Sequence, residues 1–597
     1  MDALALVGVA AASAASAVAV LAARAGRARA AALWLALAAA LLRVPPSAHF
    51  ALSPWDERFH ALVARNALEH PLVPTLIAHP LVEPAPDDWR HARVWLHKPP
   101  LATWLMAGAF ELFGVNEVAL RLPSVLLASA GVWLVFALAR RFVSDGAALW
   151  AAGLAAWQAR SLYLVAGLRA TDHVDVAMTF AVSLGALAAV RAAEALEGSR
   201  ARFARRTALV GAATALAWYA KETPALVVPA FFFFLLCARP VRWPTRVGAP
   251  AASLAVAAAA VGPWLWYTAS VFPAVAAVAR ARGAHYFFTV VDHQGGPWYF
   301  HLANLPEDFG WLAPVALLGF ALDALGSRRA RLPLLAWVVL VYGVFSVAAT
   351  KMQSYVLIAA PAIFVALGWL AWDAWPRGRG RALRALHALV LAALAANAVA
   401  TVLSVEAPLE AHARDPLWAS ELRGLGAAVE ALPPGRRVVF GAPSPLECMF
   451  YARATCVGAP GDPAAVENAR AAGFAVAVYG ERELPGALHV PLDPRTVPAR
   501  ELARTLHAAG AREALVFNAN DAADLREYLV HRLRHASVSE GLPRRTRRLA
   551  RKLASGATLA VLLPPGSPPP PQLRAEFPEA LFLENATYAR ELESGPP

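Results

Sequence analysis

Apolar runs of about 20 residues recur along this chain, and each is long enough to cross roughly 30 Å of hydrocarbon as a helix. They fall near 2–24, 30–46, 123–142, 145–166, 174–195, 207–220, 224–237, 249–270, 309–325, 332–349, 355–374 and 383–404. Peptide groups cannot stay unpaired in lipid, so such runs must fold as helices. The sequence therefore predicts an α-helical polytopic membrane protein with about 12 transmembrane helices. The shortest runs lie between 207 and 237. The first run also reads as a cleaved signal peptide, although it lacks a basic start. With 58% hydrophobic and 16% charged residues in 597 positions, a soluble globular chain is excluded.

Arginine sets the orientation. Arg24, Arg27 and Arg29, Arg140 and Arg141, Arg200 to Arg206, Arg239, Arg242 and Arg246, Arg328, Arg329 and Arg331, and Arg377 to Arg384 occupy alternate connections. Positively charged short loops stay in the cytoplasm, so these connections are internal. The net charge of +13 is then mostly topology signal rather than nucleic-acid affinity. Residues 47–122, 167–173, 221–223, 273–308, 350–354 and everything after 405 are placed outside. Residues 101–114 are too short to cross and read as an interfacial or re-entrant helix. Trp55, Trp89, Trp95 and Trp104 suit a first loop lying along the membrane surface.

After residue 405 the pattern changes to short apolar stretches separated by Pro, Gly and Asp. RRVVFGAPS, FAVAVYG, EALVFNAND and ATLAVLLPP read as buried strands, whereas PARELARTLHAAG and AADLREYLVHRL have helical spacing. The expected domains are a membrane domain, 1–404, with its first outer loop at 47–122, and an external α/β domain, 405–597. The latter ends in a proline-rich spacer, SPPPPQ, and carries a basic patch, RRTRRLARKL, that reads as a solvated helix face or a contact with anionic lipid heads. Of three cysteines, Cys237 reads as inert packing. Cys448 and Cys456 read either as a bridge in an oxidising compartment or as two buried thiols.

The basic residues number 55, and only Lys98, Lys221, Lys351 and Lys552 among them are lysines. Three of the four, Lys98, Lys221 and Lys351, fall in outer connections of the membrane domain. Lys98 sits in VWLHKPPLATW, where an ammonium beside a stiff Pro-Pro pair suits a phosphate; a snorkelling interfacial Lys is the bland alternative. In SPWDERFHALVARNAL, Asp56 and Glu57 directly follow a membrane segment, where a carboxylate can serve as a base. A helix N-cap is the structural alternative for Asp56. In GLRATDHVDVAMTF, Asp172 and Asp175 open a membrane segment; a helix cap is the structural alternative for one of them, and either is a functional suspect. WYAKETP with Lys221, RGAHYFF with His285, DHQGGPWYF with His293 and ATKMQSYVL with Lys351 complete a set of acids, cations and imidazoles on one face. That is the makeup of a site for a phosphate-bearing lipid.

The stretches DERFHALVARN, HKPPLATWLMAGAFELFGVNEVALRLPS, TDHVDVAMTF, WYAKETPALVVP, GPWLWY, HYFF with GGPWYFHL, and TKMQSYVLIAAPA agree in order and spacing with a known family. Across residues 50 to 375 the chain resembles the bacterial polyprenyl-phosphate-dependent glycosyltransferases of the C type, particularly the aminoarabinose-to-lipid A transferases and their protein O-mannosyltransferase relatives. The resemblance implies the C-type glycosyltransferase fold and an external active site that takes a sugar from an undecaprenyl phosphate carrier. It aligns the family's loop-one Asp with Asp56, flanked by Glu57 and Arg58, its phosphate-binding Lys with Lys98, and its later helix-starting Asp with Asp175. His97 stands where the aminoarabinose transferases have a metal-holding Glu, and His285 looks like their later His. A divalent metal (zinc, magnesium or manganese) is compatible with that pair and is not established by it.

The expected reaction is a displacement at the anomeric carbon with inversion. Lys98, helped by Arg58, Lys221 and Lys351, would stabilise the departing phosphate. Asp56 or Asp175, with Glu57 beside them, would take the acceptor's proton. Partners implied are a polyprenyl-phosphate-linked sugar, an envelope acceptor (lipid A, another glycan or protein) and the plasma membrane of a bacterium, with no nucleic acid. A lipid-linked sugar transporter or flippase is the alternative; it calls for internal repeats and mid-membrane acids that the sequence does not display. A receptor would leave the first-loop charges unexplained.

Overall fold

The computed structural model describes residues 3–48, 52–53, 56–167, 172–291, 294–326, 328–375, 380–404, 416–442 and 444–492, and the strands 511–516, 537–540, 558–563 and 581–584. The chain divides into two units. One is Met1–Ile77 with Glu83–Ala407; the other is Ala78–Val82 with Pro408–Pro597. A five-residue piece of the long first loop thus belongs to the second unit.

The first unit is helical throughout. Its helices are α1 (Ala3–Arg24), α2 (Ala28–Ser47), α3 (Asp56–Asn66), α4 (Leu101–Phe113), α5 (Glu117–Ala139), α6 (Asp145–Ala156), α7 (Ala159–Val165), α8 (Asp172–Glu194) and α9 (Arg200–Lys221). They continue with α10 (Val227–Cys237), α11 (Trp243–Val271), α12 (Pro273–Phe288), α13 (Phe300–Phe309), α14 (Ala313–Gly326), α15 (Leu332–Val347), α16 (Ala360–Trp372) and α17 (Arg381–Ser404). Local chemistry marks their ends. The Asn116 side chain accepts the Ala119 N–H at 2.9 Å to start α5, and Gly114, at φ +79°, ends α4 in a conformation that side chains resist.

Among the described residues, eight helices are long and apolar enough to span a membrane, and a ninth if α13 and α14, bent by 102°, count as one. The other expected runs fall on shorter, broken or more charged helices. The run 145–166 breaks into α6 and α7. The run 207–220 belongs to a helix that begins with RARFARR, and 224–237 yields only the short α10. Cys237, at the end of α10, is exposed rather than packed.

The break after α6 is stabilised from a distance. The Arg43 guanidinium, on α2 and wholly buried, donates to the Ala156 carbonyl at 2.9 Å and to Ser161 Oγ at 3.1 Å, capping α6 and holding the start of α7. Small residues let the central helices approach. Ala147, Ala148, Ala151 and Ala152 line one side of α6, and a Cβ added at Gly368 of α16 would lie 2.2 Å from the Ala147 carbonyl oxygen. The most enclosed spans are Gln353–Trp372, 83% buried, and Asp172–Glu197, 72% buried. Asp172 and Asp175 open the second of them, and Lys351 lies just before the first.

The second unit holds two four-stranded parallel sheets. β1 (Arg437–Phe440), β2 (Thr455–Val457), β3 (Ala475–Tyr479) and β4 (Leu488–Val490) run in the order β2-β1-β3-β4. β5 (Ala511–Val516), β6 (Ser537–Glu540), β7 (Thr558–Leu563) and β8 (Leu581–Glu584) repeat that order as β6-β5-β7-β8. β1, β3, β5 and β7 fall on the four apolar stretches read from sequence, whereas β2, β4, β6 and β8 lie outside them. Val438, Phe440, Val476 and Val478 form the first sheet's core with Val466 and Ala469, and Leu81 packs against it. Thr455 Oγ1 donates to the His79 carbonyl oxygen at 2.5 Å, tying the piece of first loop to β2. Cys448 and Cys456 are bridged. The helices expected at 498–510 and 522–533, the proline-rich spacer and the basic patch lie outside the described residues, as do Trp55 and His293.

Candidate functional site

Three helices are pinned together by one buried carboxylate. Glu57 Oε1 accepts from Arg121 Nε at 2.6 Å and lies 3.1 Å from His173 Nε2; Oε2 accepts from Arg121 Nη2 at 2.9 Å and from the Ser53 N–H at 2.6 Å. Ser124 Oγ holds the other His173 nitrogen at 2.8 Å. Gly167, at φ +74°, completes the enclosure: a Cβ there would lie 2.4 Å from Glu57 Oε1. Burial alone raises the Glu57 carboxyl, but Arg121 and His173 together hold it well below the usual carboxylate range. Both oxygens are occupied and no solvent reaches them. Glu57 is an anchor, joining α3 to α5 and α8.

Asp56, one residue earlier, is half-buried at the start of α3, with bonding of its own. Lys98 is also half-buried, and its ammonium makes no hydrogen bond or ion pair to any described residue. The charges of Asp56 and Lys98 are both felt at Lys221, the last residue of α9. Lys221 itself is ion-paired with Asp175 of α8, and its ammonium lies 4.7 Å from the ring centre of Tyr355. The structure therefore brings Asp56, Lys98, Asp175 and Lys221 into one neighbourhood. Asp175 and Lys221, read separately as acid and phosphate clamp, neutralise each other.

Lys351 is engaged as well. It is buried and spends its ammonium on main-chain carbonyls at the end of α15: Phe345 at 3.3 Å, Ser346 at 2.6 Å and Ala348. Those carbonyls are the unsatisfied end of a helix, and a Lys there is a cap. Arg58 is half-buried over the Phe59 ring at 5.3 Å and has further partners, although its Nε is buried with no hydrogen-bond partner among the described residues.

One member of the expected metal pair is already engaged. His97 stacks on Trp89 with ring centres 4.0 Å apart, and its Nδ1 accepts from Arg282 Nη1 at 2.6 Å. Burial, then the charges of Lys98 and Arg282, keep His97 neutral far below its ordinary range. A guanidinium bonded to an imidazole opposes a cation beside it. His285 is exposed on α12, and no group of three or more His, Cys, Asp or Glu converges among the described residues. The loop aromatics do not simply rest on a surface either. Trp95 is buried and tilts against His97, with ring centres 5.5 Å apart, and Trp104 Nε1 donates to the Pro71 carbonyl at 2.8 Å.

Two members of this neighbourhood are not singled out by sequence. His60, one turn along α3 from Asp56, is buried with Nδ1 3.0 Å from Asp172 Oδ1. Glu222 holds φ +50° and ψ −122°, a backbone conformation unfavourable for any residue but glycine. Burial pushes the Glu222 carboxyl up, and Lys98 pulls it partly back. The i, i+4 spacing of Asp56 and His60 is legible, but without the fold it suggests only a helix face.

Residues 97–267 match the family described as dolichyl-phosphate-mannose-protein mannosyltransferase. The undecaprenyl phosphate-alpha-4-amino-4-deoxy-L-arabinose arabinosyl transferase of Pseudomonas aeruginosa is 27% identical over 278 residues, 44% of this chain and 47% of that protein. The chain thus spans about half the length of the curated relatives it matches. Its fold is similar to that of ArnT from Cupriavidus metallidurans, solved bound to undecaprenyl phosphate, with a TM-score of 0.52 at 16% identity over 75% of this chain and 85% of that one. The apo form of the same protein gives 0.51. Sequence and fold together show the resemblance to the polyprenyl-phosphate-dependent C-type glycosyltransferases. The matched segment begins at His97, one residue before the unpaired Lys98.

Proposed function

We propose that this chain is an integral-membrane glycosyltransferase that moves a sugar from a polyprenyl phosphate carrier to an envelope acceptor such as lipid A, a surface glycan or protein. The observation that carries the reading is the Lys98 ammonium, half-buried, unpaired among the described residues, and sharing a neighbourhood with Asp56. A cation left without an anion beside a carboxylate awaits an anionic ligand and a group that gives up a proton.

In the proposed reaction the acceptor's hydroxyl oxygen bonds to the anomeric carbon from the face opposite the phosphate. The carbon–oxygen bond to the phosphate breaks, and the lipid phosphate leaves with the electron pair. Lys98 stabilises the charge that develops there, where preorganised cations count most. Asp56 accepts the hydroxyl proton. The Asp175–Lys221 pair borders the site, and each charge holds the other in place. One displacement inverts the anomeric centre. No step needs a metal.

The site is proposed to face the exterior of a bacterial plasma membrane. The arginine clusters in the alternate short connections support that side, because Asp56 and Lys98 lie in the other set of connections. The Cys448–Cys456 bridge in the second unit supports an oxidising compartment. The test is full-length protein in nanodiscs supplied with a radiolabelled undecaprenyl-phosphate sugar and an envelope lipid extract. Release of free carrier phosphate with label on an acceptor is expected from the wild type and not from Lys98→Ala. Label crossing a vesicle bilayer still attached to its carrier, with no release, would instead mark a transporter.

A further inference from the structure

Among the buried groups that the proposed reaction leaves unused, His60 and Asp172 stand out. Both side chains are fully out of solvent, and they face each other at 3.0 Å through Nδ1 and Oδ1. A carboxylate only accepts, so Nδ1 carries the hydrogen and Nε2 is left with its lone pair. Nε2 is buried with no hydrogen-bond partner among the described residues, and so is Asp172 Oδ2. Leaving a buried polar atom unmet is costly, so an imidazole held rigidly with one such nitrogen calls for a use.

We propose that His60 is a positioning residue for proton transfer, receiving through Asp56 the proton that the acceptor hydroxyl gives up, with Asp172 fixing its tautomer. The inference rests on the transferase reading above. Asp56 and His60 are four residues apart on α3, which stacks them on one face. The charged and titratable groups acting on His60 are Asp172 from α8, Asp56 from its own helix and Lys98 from the loop; His97 in that loop feels His60 in turn. Trp95 closes the remaining side edge-on, its ring centre 5.8 Å from that of His60. The balance is complete without a co-reactant. The acceptor's O–H bond breaks, its oxygen bonds to the anomeric carbon, and the carrier phosphate departs with its electron pair. The proton passes to the Asp56 carboxylate and on to His60 Nε2, where the resulting imidazolium is paired with Asp172.

Burial lowers the proton affinity of His60, but Asp172 and Asp56 outweigh it, so the group titrates above its ordinary value of 6.5. The neutral form is the one that accepts, so transfer rises with pH through that titration. A histidine that only fills space would leave no such limb. The experiment measures kcat/KM for carrier-phosphate release by full-length protein in nanodiscs from about pH 5.5 to 9.5. A rising limb above the ordinary histidine value is expected in the wild type. His60→Gln removes the limb and lowers the plateau roughly 10²-fold. Asp172→Asn moves the limb to lower pH, because burial then dominates. A limb unchanged in His60→Gln overturns the inference while leaving the transferase reading intact. The wild type covers the case of variants that fail to fold, since a flat wild-type profile also overturns it. No carrier-phosphate release at any pH overturns the transferase reading itself.

Discussion

Arg121 grips Glu57 with two parallel hydrogen bonds, Nε to Oε1 at 2.6 Å and Nη2 to Oε2 at 2.9 Å, and neither side chain is exposed. Removing one partner strands the other charge away from water. Glu57→Ala is therefore expected to destabilise the protein by about 3–5 kcal/mol. The neighbouring Asp56→Asn keeps the fold and loses transfer by roughly 10²–10⁴-fold. Thermal unfolding in detergent beside a carrier-release assay separates the two. Equal stability loss in both variants would refute the division of labour between these adjacent acids.

Lys98 and Lys351 are expected to diverge in the same way. Lys98→Ala leaves the melting temperature within experimental scatter and reduces turnover by roughly 10²–10³-fold, the cost of one lost charge-stabilising group. Lys351→Met leaves carbonyls at the end of α15 unmet, at about 1–3 kcal/mol, and does not change the KM for the lipid-linked donor. A raised donor KM in Lys351→Met would return that residue to the phosphate site.

What the sequence reveals follows from which forces are local. Apolar runs announce helices because lipid leaves the backbone no alternative. The break between α6 and α7 is silent, because its compensation comes from Arg43, 113 residues away from the carbonyl it caps. Asp56 and Lys98 are legible as odd charges at membrane edges. The fates of Lys221 and Glu57 are not, because each depends on a partner supplied by another helix: Asp175 for one and Arg121 for the other. His97 has the residue type of a metal ligand, and only the fold reveals the guanidinium bonded to it. The same holds for His60, whose sequence neighbours suggest a helix face and whose carboxylate partner lies on α8.

The Arg282–His97 contact makes two expectations for the first loop. Dialysis against EDTA leaves transfer unchanged, because a guanidinium occupies the imidazole where a cation would sit. Acid also loosens the loop. His97 is neutral when folded and binds a proton near pH 6.5 when the loop is open, so its contribution is complete above about pH 6.5 and falls away below it. Limited proteolysis between residues 67 and 100 should quicken from about pH 7.5 to 5.5 in the wild type. It should respond less in His97→Gln. A chelator-sensitive rate restored by zinc would reverse the assignment of His97.

Glu222 supplies the sharpest separation of stability from activity. Its φ of +50° with ψ −122° is mirror-image extended backbone, open to glycine and strained for a carboxylate-bearing side chain. Such strain costs on the order of 1–3 kcal/mol and persists at sites where a particular side chain is needed. The chain accepts it beside the unpaired Lys98, with the carboxyl's proton affinity raised by burial. Glu222→Gly is accordingly expected to raise stability by about 1 kcal/mol or more and to lower transfer. Glu222→Gln keeps the strain and also loses transfer, which isolates the carboxyl. Thermal melts and initial rates on the three proteins decide it. Full activity in the more stable Glu222→Gly protein would reduce the strained residue to a tight connection between α9 and the segment that follows.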